Sequence, residues 1–419
     1  MLGNRLLALS LFPRPVGVLM VILSVSAAHA QSYAVLHNFD RTTDGALPTA
    51  GLTIDRSGNL FGTASEGGLV EDCEDGCGTV FELMHKNGGW VFAPLYAFTG
   101  YSDGAVPASR VTIGSDGVVY GTTLYGGLLA GFSGAGVIFR LQPPARASGR
   151  LLSPWTESVI YSFGNPPDGA NPWGDTIFDE QGNLYGTTFG GGVQCAGDYY
   201  CGTVYELTPQ AGGWIENILY TFTQQFFSEP RSGVIFDGSG QLYGTTSNGY
   251  GQVFRLTSSG SQWVEDTIYA FQGGDDASSP AGNVVFDPSG NLYGATVYGG
   301  LSSLGAVYEL TPSAGGWSES VLYSFDGAHG SMPMAGVTRD AAGNLYGTTC
   351  YGGANNRGTV FKLTPDGGSQ WTETTLHDFA GGDGACPFGT LALDPSGNIY
   401  GTTEYGGTHG IGVVFEITP

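Results

Sequence analysis

One short phrase recurs seven times along this chain and limits what the chain can become. It first stands at Gly58-Asn59-Leu60-Phe61-Gly62-Thr63-Ala64 and returns as variants of GNLYGTT ending at Thr123, Thr188, Thr246, Thr296, Thr349 and Thr403. The central glycines, Gly62, Gly121, Gly186, Gly244, Gly294, Gly347 and Gly401, lie 50 to 65 residues apart. A period of that size marks a repeat architecture in which each unit is one supersecondary element. A second run of the type G-x-V-F/Y-x-L follows every copy, from Gly78–Leu83 to Gly412–Ile417.

A third run ends in an aromatic-x-Phe pattern, and six copies carry a tryptophan eight residues before the phenylalanine: Trp90/Phe98, Trp155/Phe163, Trp214/Phe222, Trp263/Phe271, Trp317/Phe325 and Trp371/Phe379. The seventh copy is at the other end of the chain, in Tyr33 to Phe39, with Gln31 at the tryptophan position. A fourth run precedes each GNLYGTT and ends in a turn such as Asp394-Pro395-Ser396-Gly397. We call these runs A (before GNLYGTT), B (GNLYGTT), C (G-x-V-F/Y-x-L) and D (the tryptophan-to-phenylalanine segment). Each is short, rich in Val, Ile, Leu, Tyr, Phe and Thr, and bounded by Gly/Pro/Asp/Ser turns, as strands are. Four strands in seven units, one of them split between the chain ends, predict an all-β, seven-bladed β-propeller of four-stranded antiparallel blades. The N-terminal strand would complete the last blade and hide its edge. A parallel β-helix has no need of a split repeat, and two sandwiches would not yield seven similar units.

Composition agrees. The chain has 72 glycines in 419 residues, too many for a helical protein, while 41% hydrophobic and 12% aromatic residues exclude disorder. Strand alternation sets the glycine of GNLYGTT opposite the aromatic, so that the glycine admits another side chain or backbone closely.

Arg5 and Arg14, the apolar run from Val16 to Val25, and Ala28-His29-Ala30 have the form of a signal peptide cut after Ala30. That run is too short to cross a bilayer of about 30 Å comfortably. The domain expectation is a signal peptide over 1–30 and one propeller over 31–419, in a secreted, periplasmic or extracellular protein that is not inserted in the membrane after cleavage. Of the 14 Lys+Arg only Arg5 and Arg14 precede residue 31, which leaves 12 against 37 Asp+Glu and a net charge of −25 beyond the cut. A surface this acidic repels phosphate backbones and excludes nucleic acid as a partner.

The tandem GNLYGTT, YGG, GTVFKLTP and LYSF segments, taken together, resemble the GloVer tandem-repeat family of exported bacterial proteins over nearly all of 31–419. The resemblance implies an exported, β-rich repeat protein and brings no catalytic residues with it. Members of that family often look like larger surface proteins with a C-terminal anchor, which we do not find after Thr418-Pro419.

Six cysteines suit export and fall into three pairs. Cys73 and Cys77 lie in one B-to-C connection and Cys195 and Cys201 in another. Cys350 follows strand B of the sixth unit and Cys386 precedes strand A of the seventh, positions that emerge on the same rim of neighbouring blades. Three disulfides, 73/77, 195/201 and 350/386, are expected.

Function is sought on the rim that carries the D-to-A and B-to-C loops, which is the less regular one. From the B glycine to the C glycine the spacings are 16, 15, 16, 7, 11, 11 and 11. An aspartate stands four residues before a proline in five D-to-A loops, at Asp44, Asp103, Asp168, Asp276 and Asp383. Such aspartates cap turns; as a ring of carboxylates they are also weak candidates for Ca²⁺. No metal site or other cofactor is indicated. Tyr125, Tyr298, Tyr351 and Tyr405 occupy one repeat position just after strand B and, with the carboxylates, make a candidate sugar-binding surface. His329, His409 and Asp383 form the one acid/base grouping the loops offer, of the kind a polysaccharide lyase or hydrolase needs. No Ser-based triad, phosphate loop or dinucleotide motif is present. The reading is a monomeric exported binding or interaction module for a glycan or protein, with that enzyme as the alternative.

Overall fold

The computed structural model describes residues 31–419 apart from 69–72, 87, 129–133, 145, 148–149, 152–153, 165, 196–200, 224–228, 261 and 369. The expected signal segment, 1–30, and parts of three long B-to-C loops lie outside the described residues.

Gln31–Pro419 form one compact unit. Seven four-stranded antiparallel sheets run A-B-C-D, the first being Thr53–Ile54, Leu60–Ala64, Thr79–Lys86 and Gly89–Ala97. Only the seventh sheet breaks chain order. Its outer strand is Ser32–Asn38, paired with Val413–Thr418 in the register Tyr33↔Ile417 and Asn38↔Val413. This is the seven-bladed β-propeller that the repeats predict, closed by the N-terminal strand.

The repeat residues account for the packing. In every blade the B glycine faces the aromatic of strand C, as in Gly62↔Phe81, and a Cβ on Gly62 would stand 2.5 Å from that ring. The aromatics brought in this way, Phe81, Phe139, Tyr205, Phe254, Tyr308 and Phe361, are half of the largest fully buried side chains among the described residues. The aromatic preceding the B glycine has a polar end with a separate use: Tyr185 Oη donates to Glu206 at 2.6 Å and lies 3.1 Å from the turn carboxylate of Asp179.

Strand D holds a feature that the eight-residue spacing does not announce. All seven D strands carry a register shift just before the aromatic-x-Phe pair, so that Leu95, Ile160, Leu219, Ile268, Leu322, Leu376 and Leu36 are left out of the pairing. Such a bulge turns the following side chains to the other face. In the first blade Trp90 and Phe92 therefore pack toward the seventh blade, with Tyr400 and Phe39. Tyr96 and Phe98 pack toward the second, with Phe139.

Neighbouring blades are joined by two further rings of contacts. In five blades the first threonine of GTT donates to a carbonyl at or just before the next blade's strand A, among them Thr63 to Ser109, Thr187 to Ser232 and Thr402 to Ala50. The glycine opening strand C, at φ between +78° and +105°, abuts the proline of the next D-to-A loop, from Gly78 on Pro107 round to Gly412 on Pro48. A side chain there would meet the proline ring and would also strain the backbone. The last of these contacts, like Thr402 to Ala50, crosses the point where the ring closes.

The three expected disulfides, Cys73–Cys77, Cys195–Cys201 and Cys350–Cys386, are all present, and no free cysteine is found among the described residues. They suggest an oxidising, extracellular environment. No helix is long and apolar enough to cross a membrane among the described residues.

Candidate functional site

The five loop aspartates each close their own loop. Asp103 accepts from the backbone N–H of Thr99 at 2.8 Å and from Tyr96 Oη at 3.0 Å; Asp168 accepts from Gly164 N–H and Tyr161, and Asp276 from Gln272 N–H and Tyr269. At Asp44 and Asp383 the partner on strand D is a histidine: His37 Nε2 donates to Asp44 at 2.8 Å and His377 Nε2 to Asp383 at 2.9 Å. The carboxylates thus sit one per loop, and no group of three or more His, Cys, Asp or Glu side chains is gathered as a metal site among the described residues.

His329, His409 and Asp383 are each bonded elsewhere. His329 Nδ1 donates to Asp326 at 3.0 Å, His409 Nδ1 donates to the carbonyl of Phe39 at 3.0 Å, and Asp383 holds His377. No hydrogen bond or ion pair among the described residues joins the three. The Asp326 hydrogen bond raises the pKa of His329.

The four tyrosines occupy equivalent backbone positions, each pairing with a D-to-A loop residue: Ala105↔Tyr125, Ser278↔Tyr298, Ser331↔Tyr351 and Ala385↔Tyr405. Their side chains diverge. Tyr125 is half-buried against the core under the Cys73–Cys77 loop, whereas Tyr298, Tyr351 and Tyr405 are 45–48% exposed. Tyr351 and Tyr405 neighbour each other on the sixth and seventh blades. A hydrogen bond to Glu404, with burial, pushes the Tyr405 phenol up to about 12. Burial also raises Glu404 and, against the opposing charge of Arg41 at 3.1 Å, Glu66 on the first blade.

The strongest convergence of side chains is on the propeller axis. At the loop-bearing rim a cavity of about 400 Å³ is lined mainly by the residues that follow the loop prolines, with Glu229, Asn248 and Tyr298 among the others. The residue three after the proline is Gly51, Arg110, Asp175, Gly233, Asn283, Gly336 or Thr390 around the ring. Where it is small, blades approach backbone to backbone: Gly51 on Thr390, Gly233 on Asp175, Gly336 on Asn283. These contacts pair the seventh blade with the first, the third with the fourth and the fifth with the sixth. Seven is odd, so the second blade is left over, and it carries Arg110.

Arg110 holds Asp175 twice, through its backbone N–H at 2.9 Å and its guanidinium Nε at 3.2 Å, and Asn283 Nδ2 donates to the same carboxylate from across the axis at 3.0 Å. Beside this group Arg231 lies over the rings of Phe189 and Trp173, 4.9 Å and 5.7 Å from their centroids. Trp173 and Phe388 also line the cavity. Of the residues singled out by sequence reading, only Tyr298 is part of this site. The signal for the rest was the aligned column after the loop prolines, where Arg110, Asp175 and Asn283 replace small residues.

Among the solved structures similar to this chain are three at low identity. A protein from Lactobacillus plantarum is 15% identical, with a TM-score of 0.47 over 79% of this chain and 84% of that one. A putative 6-phosphogluconolactonase from Bacteroides uniformis is 14% identical, at 0.48 over 78% and 84%. A gluconolactonase from Xanthomonas campestris is 13% identical, at 0.41 over 93% and 89%. At these values they carry no argument about activity. No curated protein sequence matches the chain. The family comparison is of a different order, because the model of one repeat family matches residues 21–197, 193–372 and 247–419. With the seven GNLYGTT copies and the closed ring they build, this places the chain in the Gloeobacter/Verrucomicrobia repeat family.

Proposed function

We propose that this propeller is an exported binding module whose axial mouth on the loop-bearing rim receives a glycan. The observation that carries this reading is the combination found in one cavity: aromatic surface from Trp173, Phe388 and Tyr298 beside the Arg110–Asp175–Asn283 group. Sugar recognition asks for such a mixture, with ring faces stacking on the apolar side of a pyranose and a few fixed polar groups exchanging hydrogen bonds with its hydroxyls. The exposed Tyr351 and Tyr405 extend the same rim outward. Export rests on the three disulfides together with the signal-like segment over 1–30. The enzyme alternative draws no support from His329, Asp383 and His409, which are bonded to separate partners.

Glycan-array binding followed by titration calorimetry tests the proposal. Loss of an aromatic at the centre of a binding site removes roughly tenfold or more in affinity, so Trp173→Ala and Tyr298→Ala should each weaken binding by that much. A wild-type protein that binds no glycan, or variants that bind as well as wild type, would dispose of it.

A further inference from the structure

The twelve cationic residues beyond residue 30 are not spread evenly. Four of them, Arg56, Arg110, Arg231 and Arg339, line the two ends of the propeller axis, although the axis takes only Asp55, Asp175 and Glu229 from the 37 acids. A chain with a net charge of −25 beyond the signal-like segment thereby reverses its charge balance along its own axis. The reversal is sharpest at the rim opposite the long loops. There the axis opens into a funnel of about 950 Å³ whose lining includes Arg56, Arg110 and Arg339 against one acid, Asp55.

That acid is already used. Asp55 accepts from the backbone N–H groups of Ser57 and Asn59 at 2.7 and 2.8 Å and from the Asn59 side chain at 3.0 Å, closing the turn from strand A to strand B. Arg56 and Arg339 make no ion pair among the described residues. Arg110 lines both the funnel and the opposite mouth, and Asp175, which it pairs with, is on the mouth side. Three threonine hydroxyls of the funnel are committed as well: Thr53 donates to the carbonyl of Val111, Thr112 to that of Thr176 and Thr338 to that of Leu391. What the funnel offers a ligand is therefore positive charge inside low-dielectric walls, a geometry that focuses the field on a small anion.

We propose that this funnel binds a small oxyanion, a phosphate- or carboxylate-bearing molecule, between Arg56, Arg110 and Arg339. The funnel shares Arg110 with the glycan mouth, but anion binding there needs no glycan at the mouth. Guanidinium groups match the planar oxygens of both anions, and the acidic exterior keeps larger polyanions such as nucleic acid away.

Titration calorimetry of the purified protein at low ionic strength, with inorganic phosphate, citrate and neutral glucose as probes, tests this. At least one anion should bind at millimolar concentration or better and glucose should not, with phosphate alone or citrate alone identifying the source of the oxygens. Arg56→Gln and Arg339→Gln should each cost about tenfold in affinity, the weight of a charge-assisted hydrogen bond. Arg140→Gln, an equal charge change at an exposed position of strand C, should cost nothing. Circular dichroism of the variants separates lost binding from lost fold. The proposal is overturned if neither anion binds, or if Arg140→Gln weakens binding as much as the funnel variants do.

Discussion

Two residue positions on strand D decide how each blade meets the next. The residue two before the terminal phenylalanine is Tyr96, Tyr161, Tyr220, Tyr269 or Tyr323 in five blades and His37 or His377 in two. The residue two after the tryptophan position in the following blade changes with it. It is Glu157, Glu216, Glu265, Glu319 or Glu373 opposite the tyrosines, but Phe92 opposite His37 and Tyr33 opposite His377. The histidines stack on these rings at 3.8 Å, nearly parallel. A tyrosine can donate to a glutamate, as Tyr161 does to Glu216 at 3.2 Å, while an imidazole held by aspartate presents a flat face that an aromatic covers. The glutamates carry a cost. Burial, and then the charge of Asp103, Asp168 or Asp276, raises Glu157, Glu216 and Glu319 from 4.5 to about 7. Because the folded state binds these protons more tightly than the unfolded chain, their contribution is full below 4.5 and lost as the pH rises through about 7. Asp237 and Asp340, lowered by hydrogen bonds that outweigh their burial, work in the opposite sense only below about the ordinary 3.8. Thermal unfolding should therefore show a melting temperature that falls between about pH 4.5 and pH 7, and the triple variant Glu157→Gln/Glu216→Gln/Glu319→Gln should flatten that fall. An unchanged pH profile in the triple variant would count against the assignment.

Strands and turns were legible in the sequence because their signals are local: β-branched and aromatic runs, Asp-x-Ser-Gly turns and glycines at a fixed period. The bulge in strand D was not, since Trp90 and Phe98 are an even number of residues apart and alternation alone puts them on one face. The extra residue is revealed only by pairing with strand C. Inter-blade threonine bonds were likewise hidden, because their acceptors are carbonyls about 40 to 60 residues away and, for Thr402, at the other end of the chain. The ring is not uniform. Alanine stands at 295 in the fifth blade, and Thr348 Oγ1 in the sixth is buried without a partner. Thr402→Ala should accordingly destabilise by about 0.5–1.5 kcal/mol, whereas Thr348→Ala should be neutral or stabilising; urea denaturation of the two variants distinguishes them. Equal losses would show that the hydroxyl bonds are not what separates these positions.

For the whole molecule, the count of blades matters as much as their content. Three backbone-to-backbone contacts along the axis use six blades, and the seventh place in the pattern is free to differ. Sequence reading directed attention to the outer rim, where repeat positions are filled with conspicuous Tyr, Asp and His. The axial residues were hard to see because a site shared among seven strands has one residue in each, 50 to 65 positions apart. The Cys350–Cys386 bridge works at this scale too, tying the sixth blade to the loop that enters the seventh over a separation of 36 residues. In the chain-entropy account, closing such a loop is worth about 3–4 kcal/mol. Cys350→Ser/Cys386→Ser should therefore lower the unfolding midpoint in denaturant far more than any rim tyrosine substitution, and a midpoint within error of wild type would contradict it.

Pairing of Ser32–Asn38 with Val413–Thr418 sets the order in which this protein can be finished. The outer strand of the last blade is synthesised before every other strand of the propeller and must stay unpaired until its partner has been made. Six blades can assemble from neighbouring segments as they emerge. The seventh requires ends separated by some 380 residues to meet, and the entropy of that meeting grows only as the logarithm of the length. The ring is therefore a clasp that closes once, when Val413–Thr418 has been made, and a propeller lacking that strand would leave two edges open to other molecules.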